Sequence, residues 1–333
     1  MNQPNPKSIV DLIEAFRASK AMFTAVSLGV FDRLHGRPAS AGQLAAEFNL
    51  NAGGLERLLD ACAALDLLLC KDGAYENTPE ADLYLRRESP ETLAGYILYS
   101  DAVLFKMWAN LDGAVREGSH RWTQTFGLDG PLFSHFFNTP EAMRAFIGGM
   151  HGFGLISSPA VVSAFDLSGF RRLADLGGAT GHLAKAAADL YPGLAAAVFD
   201  IPQVAETARE YLAGSRVEVI AGDFFTDPLP PADLYTLGRI LHDWNPVKIA
   251  LLLARIHAAL PDSGALLIAE KLLDDEPGRG PVSARLQSLN MLVCTEGQER
   301  TPNQYRALLA EAGFSRVEFA RTGSTLDAIL ARK

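Results

Sequence analysis

A histidine and two acidic residues have the types and positions expected of a proton-transfer site. His242 lies in a short segment between a predicted strand and a predicted helix, so it is expected in a loop at the mouth of a cleft. Glu270 ends the next predicted strand, and Glu299 precedes a later helix. A carboxylate on one imidazole nitrogen fixes the tautomer and raises the basicity of the other nitrogen. A lone histidine is more often structural, but these three residues together indicate a general base with two supporting acids.

A glycine turn provides a second candidate site. The run Asp175-Leu-Gly-Gly-Ala-Thr-Gly181 predicts a strand end, a tight turn at Gly177 and Gly181, and the start of a helix. Such a unit presents backbone N–H groups and lets a ligand approach the main chain closely. Ala179 and His182 stand where the dinucleotide pattern has glycines. The turn therefore favours a nucleoside without a pyrophosphate, such as S-adenosylmethionine, with a plain structural turn as the alternative.

Two further strand ends carry residues that suit a nucleoside. Asp200, followed by Ile201, ends the next apolar run, near the spacing at which an acid meets ribose hydroxyls. Gly222 and Asp223 precede Phe224, and an acid beside an aromatic ring suits adenine. A core position for Phe224 is an equally open interpretation.

The elements that must position these residues follow an α/β pattern from Arg171 onwards. Alternating strands and helices predict a doubly wound, mostly parallel sheet, and the last two strands are too close together for a helical crossover, so they form an antiparallel hairpin. Asn245 and Pro246 mark the start of a helix that runs to Leu260. The predicted strands are Leu173–Leu176, Ala196–Asp200, Val217–Ile220, Leu234–Leu237, Ala265–Ala269, Val317–Ala320 and Thr325–Ala331.

The N-terminal region predicts an α-helical, winged-helix domain that pairs with a second chain. Ser8 to Leu34 gives two helices with a wide apolar face, which indicates a partner chain. Ala39 to Thr78 gives a helix-turn-helix closed by a small hairpin. Its second helix offers Glu56, Arg57 and Asp60 without a basic cluster, so a structural or dimerising use is favoured over DNA binding.

Three domains are expected along the chain. Residues 1–90 form the winged-helix dimerisation domain, residues 91–165 a helical, aromatic-rich connector that lines a pocket facing the next domain, and residues 166–333 the nucleotide-binding domain. Pockets often form where domains meet.

Composition narrows the class of partner and the compartment. The 333 residues carry a net charge of −9, which argues against nucleic acid or an anionic membrane. The sequence contains no run of ~18 uninterrupted apolar residues, and Met1 to Pro6 lacks the pattern of a signal peptide. Three cysteines in apolar patterns predict reduced core thiols, and no metal-type Cys or His spacing occurs. The expectation is a cytoplasmic protein without a bound metal.

Five segments carry a resemblance to a known family. The chain resembles the metal-independent small-molecule O-methyltransferases of the caffeate and acetylserotonin type, and most closely the acetylserotonin branch. The resemblance covers nearly the whole chain and implies a homodimer through the N-terminal region. The segments are Asp175-Leu-Gly-Gly-Ala-Thr-Gly181, Val198-Phe-Asp-Ile-Pro202, Gly222-Asp-Phe-Phe225, Leu241-His-Asp-Trp244 and the fifteen residues from Ser288 to Pro302.

The resemblance also implies roles for individual residues. His242 matches the general base, and Glu270 and Glu299 match the acids beside it. The S-adenosylmethionine contacts match the glycine turn together with Asp200, Gly222, Asp223, Phe224 and Arg239. The acceptor pocket matches Tyr99, Trp108, Asp243, Asn290 and Met291, with Met150 near the reacting methyl group. Three positions depart from the branch: Cys294 stands for a glutamine that reaches the acceptor, Phe137 for a tyrosine and Gly154 for a tryptophan.

The predicted reaction is transfer of a methyl group to a hydroxyl, most simply a phenol, of a small aromatic molecule. Three other functions stay open at this point: methylation of a small thiol, a DNA-binding regulator that senses a nucleoside, and a silent scaffold. A thiol acceptor would depend less on His242, because its pKa of ~8.5 is closer to that of histidine than a phenol's ~10.

Overall fold

The computed structural model describes residues 4–333, which form two compact units, one up to Phe105 and one from Lys106 to Lys333. Residues 1–3 lie outside the described residues, so the expectation that residues 1–6 are not part of a signal peptide concerns them only in part. The three-part division of the chain stays a prediction.

From residue 4 onwards, the N-terminal unit contains six helices and a two-stranded hairpin around one core. Gly29, at φ +77°, separates α1 from α2, and Ser40 forms a capping box with Gln43 at the start of α3. The buried side chains of the helices and hairpin form a single cluster. The elements are α1 (Lys7–Ser27), α2 (Val30–Leu34), α3 (Ala41–Phe48), α4 (Ala52–Ala64), β1 (Leu68–Lys71), β2 (Ala74–Asn77), α5 (Pro79–Tyr84) and α6 (Ala94–Tyr99), followed by a π-helical turn (Ser100–Leu104).

The first two-thirds of α1 leave large apolar side chains uncovered. Leu12 is 73% exposed, Ile13 64% and Phe16 55%, and Ile9 is also exposed. Isolated exposed apolar residues are ordinary, but four on one helix form a contiguous apolar strip.

A series of helices then leads to the sheet. These are α7 (Phe105–Trp108), α8 (Leu111–Glu117), α9 (Trp122–Phe126), α10 (Leu132–Phe136) and α11 (Pro140–Val162). Thr139 caps α11 and Pro140 occupies its first position. By length and composition α11 could cross a membrane, but it packs along the helix that follows the glycine turn, and nearly half of it is buried, as in a core helix.

A seven-stranded sheet organises the C-terminal unit. Its order is β5-β4-β3-β6-β7-β9-β8, with the first five strands parallel and β9 antiparallel to both of its neighbours. This confirms the doubly wound sheet and terminal hairpin. The elements are β3 (Arg172–Leu176), α12 (His182–Leu190), β4 (Ala195–Asp200), α13 (Pro202–Tyr211), β5 (Glu218–Ala221), β6 (Leu234–Gly238), α14 (Pro246–Ala259), β7 (Ala265–Glu270), α15 (Val282–Cys294), α16 (Pro302–Glu311), β8 (Arg316–Ala320) and β9 (Asp327–Arg332).

The strand order reverses between β3 and β6, which neighbour each other although two strands separate them in the chain. Ligands of doubly wound sheets bind at such a switch point, beyond the carboxyl ends of the strands. The glycine turn follows β3, and the segment that holds His242 follows β6.

One expectation about the cysteines is wrong. Cys62 and Cys294 are buried, but Cys70 is exposed on β1, because that strand buries only its first residue, Leu68. All three cysteines are free thiols.

Candidate active site

The glycine turn needs its glycines for two physical reasons. Gly177 and Gly181 have φ values of +68° and +77°, which L side chains rarely adopt. A Cβ on Gly177 would lie 2.6 Å from Ile240 Cδ1, and one on Gly181 would lie 2.6 Å from Leu212 Cδ1. Ala179 also has a positive φ, +48°, so the turn keeps a glycine-like path where its sequence departs from the dinucleotide pattern.

Asp200 explains how Ala179 is held in that conformation. Its Oδ2 accepts a 2.9 Å hydrogen bond from the N–H of Ala179, and its Oδ1 accepts one of 2.8 Å from the N–H of Ile201. Burial raises the pKa of Asp200 to about 6, although these hydrogen bonds favour the carboxylate. The carboxylate therefore joins the end of β4 to the turn after β3.

Asp175 is an almost fully buried acid at the end of β3. Its Oδ1 accepts a 2.6 Å hydrogen bond from Thr236 Oγ1, whereas Oδ2 has no partner within residues 4–333. Burial raises its pKa to about 7, partly offset by the Thr236 bond. A Cβ on Gly178 would lie 2.6 Å from the unpartnered oxygen, so this carboxyl sits directly beneath the turn.

The end of β5 supplies an acid and aromatic rings. Gly222 is packed so closely against Phe199 that a Cβ would lie 2.5 Å from that ring. Asp223 Oδ1 accepts a hydrogen bond from Phe225 N–H, and the half-buried Phe224 lies edge-on to Phe225, with ring centroids 4.8 Å apart. Phe224 also lies close to Gly177, so the segments that follow β5 and β3 approach each other.

The predicted base and its acids are together. His242 lies in a 3-10 turn, Leu241–Asp243, and is almost completely buried. Its Nδ1 lies 2.7 Å from Glu299 Oε1, in hydrogen-bond geometry, and 3.1 Å from Glu270 Oε2. Its Nε2 lies 3.7 Å from Asp243 Oδ1. Since Nδ1 faces the two glutamates, Nε2 is the nitrogen left for a substrate.

Glu270 also shapes the loop that carries the histidine, a role that the sequence does not reveal. Its Oε1 accepts hydrogen bonds from the backbone N–H groups of Ile240, Leu241 and His242 at 3.1, 2.9 and 3.3 Å. A single carboxylate oxygen therefore closes the turn, while the other contacts the imidazole.

The charges around His242 oppose the effect of its burial. Burial by itself lowers the imidazole pKa, but Glu270, Glu299 and Asp243 together raise the pKa of His242 to about 10. Burial raises the pKa of Glu270 to about 7 and that of Asp243 to about 6. The net result is an imidazole far more basic than an ordinary one.

His242, Glu270 and Glu299 also bring three ligating atoms within 4.8 Å of one another, close enough to hold a metal ion. However, the 2.7 Å between Nδ1 and Glu299 Oε1 is the length of a direct hydrogen bond. The base–acid interpretation accounts for the grouping without an ion.

Arg239 has an unusual backbone and contacts α11. It follows β6 with φ +57°, a left-handed conformation that is uncommon for a non-glycine residue. Its Nη1 lies 3.5 Å from Met150 Sδ, and its guanidinium lies 4.9 Å from the centre of the Phe153 ring. The structure thus places a predicted cofactor contact beside a predicted acceptor contact.

Three of the predicted acceptor residues meet at α15. Trp108 Nε1 donates a 2.8 Å hydrogen bond to Asn290 Oδ1, and Cys294 Sγ lies 3.7 Å from the same oxygen. Met291 is buried on the same helix, and burial raises the pKa of the Cys294 thiol. Tyr99 lies in the N-terminal unit, buried at the end of α6, with its ring centroid 6.5 Å from that of Tyr96.

A pair of histidines beside the glycine turn was missed as part of the site. His182 Nδ1 lies 2.8 Å from Ser158 Oγ on α11, and His151 Nδ1 lies 2.8 Å from Thr180 Oγ1. A Cβ on Gly154 would lie 2.2 Å from the His182 ring. Gly154, which departs from the family pattern, therefore leaves room for the imidazole of His182. No spacing in the sequence indicates this contact.

Taken together, a doubly wound sheet with this turn after β3 and an acid at the end of β4 are the features of a nucleoside-binding domain. A profile described as an O-methyltransferase domain matches residues 108–315, and one described as an O-methyltransferase dimerisation domain matches residues 10–87. The chain belongs to the O-methyltransferase family.

Individual relatives are similar over nearly the whole chain. Acetylserotonin O-methyltransferase of Bos taurus is 42% identical, over 96% of this chain and 95% of its own length, and the Homo sapiens enzyme is 41% identical, over 97% and 96%. The crystal structure of human N-acetylserotonin methyltransferase in complex with SAM has a TM-score of 0.95 and 40% identity, and covers 100% of this chain and 99% of that one. The protein is an S-adenosylmethionine-dependent O-methyltransferase of this type.

Proposed function

We propose that this enzyme transfers a methyl group from S-adenosylmethionine to a phenolic hydroxyl of a small aromatic molecule, with His242 as the general base. The observation that carries the proposal is the imidazole itself: Glu299 and Glu270 contact Nδ1, which leaves Nε2 for the hydroxyl. Catalysis depends chiefly on alignment of the two reactants in a closed cleft.

The cofactor supplies an electrophilic methyl group on a sulfonium, and the chain's strand ends fit it. We infer that the backbone of Gly177 and Gly181 cradles the cofactor, with the unpartnered oxygen of Asp175 beneath the turn. Asp200 and Ile201 suit the ribose, because the Asp200 carboxylate keeps further lone pairs beside its two backbone bonds.

We assign the adenine end and the methionyl end of the cofactor to different strands. Gly222, Asp223 and Phe224, after β5, would hold adenine through an acid and an aromatic face. Arg239, after β6, would lie near the methionyl group and Met150.

The electrostatics of His242 support a proton shared between base and acceptor. With its pKa raised to about 10, the imidazole nearly matches a phenol, for which ~10 is ordinary. Proton transfer from hydroxyl to Nε2 is then close to balanced, since the glutamates stabilise the imidazolium that forms. The raised pKa favours the protonated imidazole in the ligand-free enzyme, so the reactive pair forms once that proton has left it.

The acceptor is assigned to residues around α15 and the base. Asp243 lies next to Nε2, and Asn290 is held by Trp108, so both can orient polar groups of the acceptor. We propose Met291 and Cys294 as apolar lining. Met150 completes the proposed acceptor set in this unit, and the role of Tyr99 stays what the resemblance implies.

His242→Asn tests the base. We expect kcat on a phenol to fall about 10²- to 10⁴-fold, as for loss of a general base, with the affinity for S-adenosylhomocysteine retained. His257→Asn is the matched control. His257 lies on α14, its Nε2 contacts the backbone oxygen of Gly313, and it is not one of the groups around His242. Near wild-type turnover by His242→Asn would refute the role, and a screen of thiols beside phenols with labelled cofactor distinguishes oxygen from sulfur acceptors.

We also propose that the enzyme is a cytoplasmic homodimer joined through its winged-helix N-terminal domain, with no nucleic-acid or membrane partner. The exposed apolar strip on α1 supports this assembly, as does the match to a dimerisation domain. Leu12→Asp should convert the dimer to a monomer in sedimentation equilibrium. Val247→Asp, at an exposed apolar residue of α14, should not, and a Leu12→Asp variant that stays dimeric would contradict the proposal.

A further inference from the structure

Lys271 is a half-buried cation at the site without a counter-ion. It directly follows Glu270 at the carboxyl end of β7. Its ammonium makes no hydrogen bond or ion pair with any residue from 4 to 333, yet Nζ stays open to solvent. Burial lowers the pKa of Lys271, and the positive charge of Arg239 lowers it further. A half-buried ammonium without a counter-ion in the protein is available to pair with an anionic group of a ligand.

The strand pattern places Lys271 on the face of the sheet that carries α11 and α12. Alternate residues of β7, Ala265, Leu267 and Ala269, pack in the same cluster as Leu183 of α12, and Lys271 continues this series. Glu270 belongs to the opposite series and reaches the His242 loop.

The surrounding charges leave Lys271 without a local partner. The acid whose charge acts on it is Glu299, and that carboxylate already accepts the Nδ1–H hydrogen bond of His242. The other charge that acts on it, Arg239, is positive. Lys271 therefore has no direct ion pair with residues 4–333, although the carboxylates around His242 lie in the same region.

The order of the strands indicates which ligand carries the matching anion. The residues assigned to the cofactor follow β3, β4 and β5, and the base follows β6. β7 neighbours β6 on the side away from β3. An anion at the end of β7 therefore lies beyond the base, on the acceptor side, whereas a cofactor carboxylate would lie nearer β3.

We propose that Lys271 binds a carboxylate on the methyl acceptor, so that the acceptor is an aromatic acid carrying the hydroxyl that His242 deprotonates. The inference rests on the proposed function and adds to it the chemical class of the acceptor. Lys271 is here a specificity-determining residue, since it holds the acid group while His242 acts on the hydroxyl.

The test is calorimetric binding of matched probes to the enzyme loaded with S-adenosylhomocysteine. The probes are 4-hydroxybenzoate, 4-hydroxyphenylacetate and 4-hydroxycinnamate, each compared with its neutral primary amide. At least one acid should bind wild type about tenfold more tightly than its amide, the value expected for one hydrogen bond to a charged group. Lys271→Gln should bring that ratio close to one, and Lys271→Arg should keep most of it.

Lys185→Gln is the matched control, because Lys185 is an exposed lysine of α12 paired with Asp189, and it should keep the wild-type ratio. Three results would overturn the inference: no acid preferred by wild type, an unchanged ratio in Lys271→Gln, or a fall in affinity for S-adenosylhomocysteine that matches the loss for the acid. The last would assign Lys271 to the cofactor's own carboxylate. Turnover of the neutral phenol amides by wild type is measured separately, so failure of the proposed function is recognised on its own.

Discussion

Glu299→Gln should shift the pH dependence of the reaction towards acid. The substitution removes a negative charge whose oxygen lies 2.7 Å from His242 Nδ1, while the amide oxygen can still accept the Nδ1–H bond. Two unit charges about 4 Å apart interact by ~4 kcal/mol at an effective dielectric of ~20, or ~3 pKa units. Measured effects of one neighbouring charge are ~1–3 units, which is the shift we expect.

The direction of the pH shift follows because His242 must lose a proton before it can act as a base. The wild-type pKa of about 10 keeps His242 protonated at pH 7, so kcat/KM should rise with pH through the alkaline range. In Glu299→Gln the imidazole loses its proton at lower pH, so the midpoint of that rise moves down, and the plateau falls because the base is weaker. The assay is labelled methyl transfer from pH 6 to 10.5.

Two controls make this result interpretable. Two phenols of different acidity separate the ionisation of the acceptor from that of His242. Glu296→Gln changes a glutamate three residues away that pairs with Lys248 and does not act on His242, so its midpoint should match wild type. A Glu299→Gln midpoint equal to or above that of wild type would refute the electrostatic argument.

Three further predictions concern the glycine turn and its surroundings. Ala179→Gly should raise the free energy of unfolding by up to ~1 kcal/mol in denaturant titration, because the strained φ of +48° suits glycine; a destabilised variant would contradict this. Between about pH 4 and about pH 7, wild type should lose melting temperature relative to Asp175→Asn, because the pKa of the buried carboxyl is raised to about 7 in the folded state only. A difference between the two proteins that does not depend on pH would argue against a buried charge. Gly154→Ala should cost ~1–3 kcal/mol by overpacking against His182, and much less in a His182→Ala background; equal costs in the two backgrounds, measured by the same titration, would show that the residues are not coupled.

Sequence patterns predict the fold well where the signal is periodic. The strands at Leu173, Ala196 and Leu234 begin within one residue of their predicted starts, and the capped helix at Pro246 begins where expected. These elements are set by local chemistry, namely alternating apolar runs, caps and glycines.

The sequence predicted which residues belong to the candidate site, but it did not predict the contacts that hold them in place. Nothing in the spacing of Glu270 indicates that one of its oxygens would accept three backbone N–H groups, because that depends on the pairing of β6 with β7. The contact between Gly154 and His182 likewise depends on how α11 packs on α12. Lys271 carries no motif, and its unpaired charge is visible only once its neighbours are placed.

The double use of Glu270 has a consequence for how this enzyme can change over generations. His242 carries the imidazole, and Glu299 contacts that ring. A lineage that abandoned methyl transfer could therefore replace either residue and keep the path of the loop. Glu270 would still be needed to satisfy the N–H groups of residues 240–242. Among descendants of this chain, an intact glutamate at the end of β7 is therefore evidence of the loop, and the pair of His242 and Glu299 is the better evidence of a working catalyst.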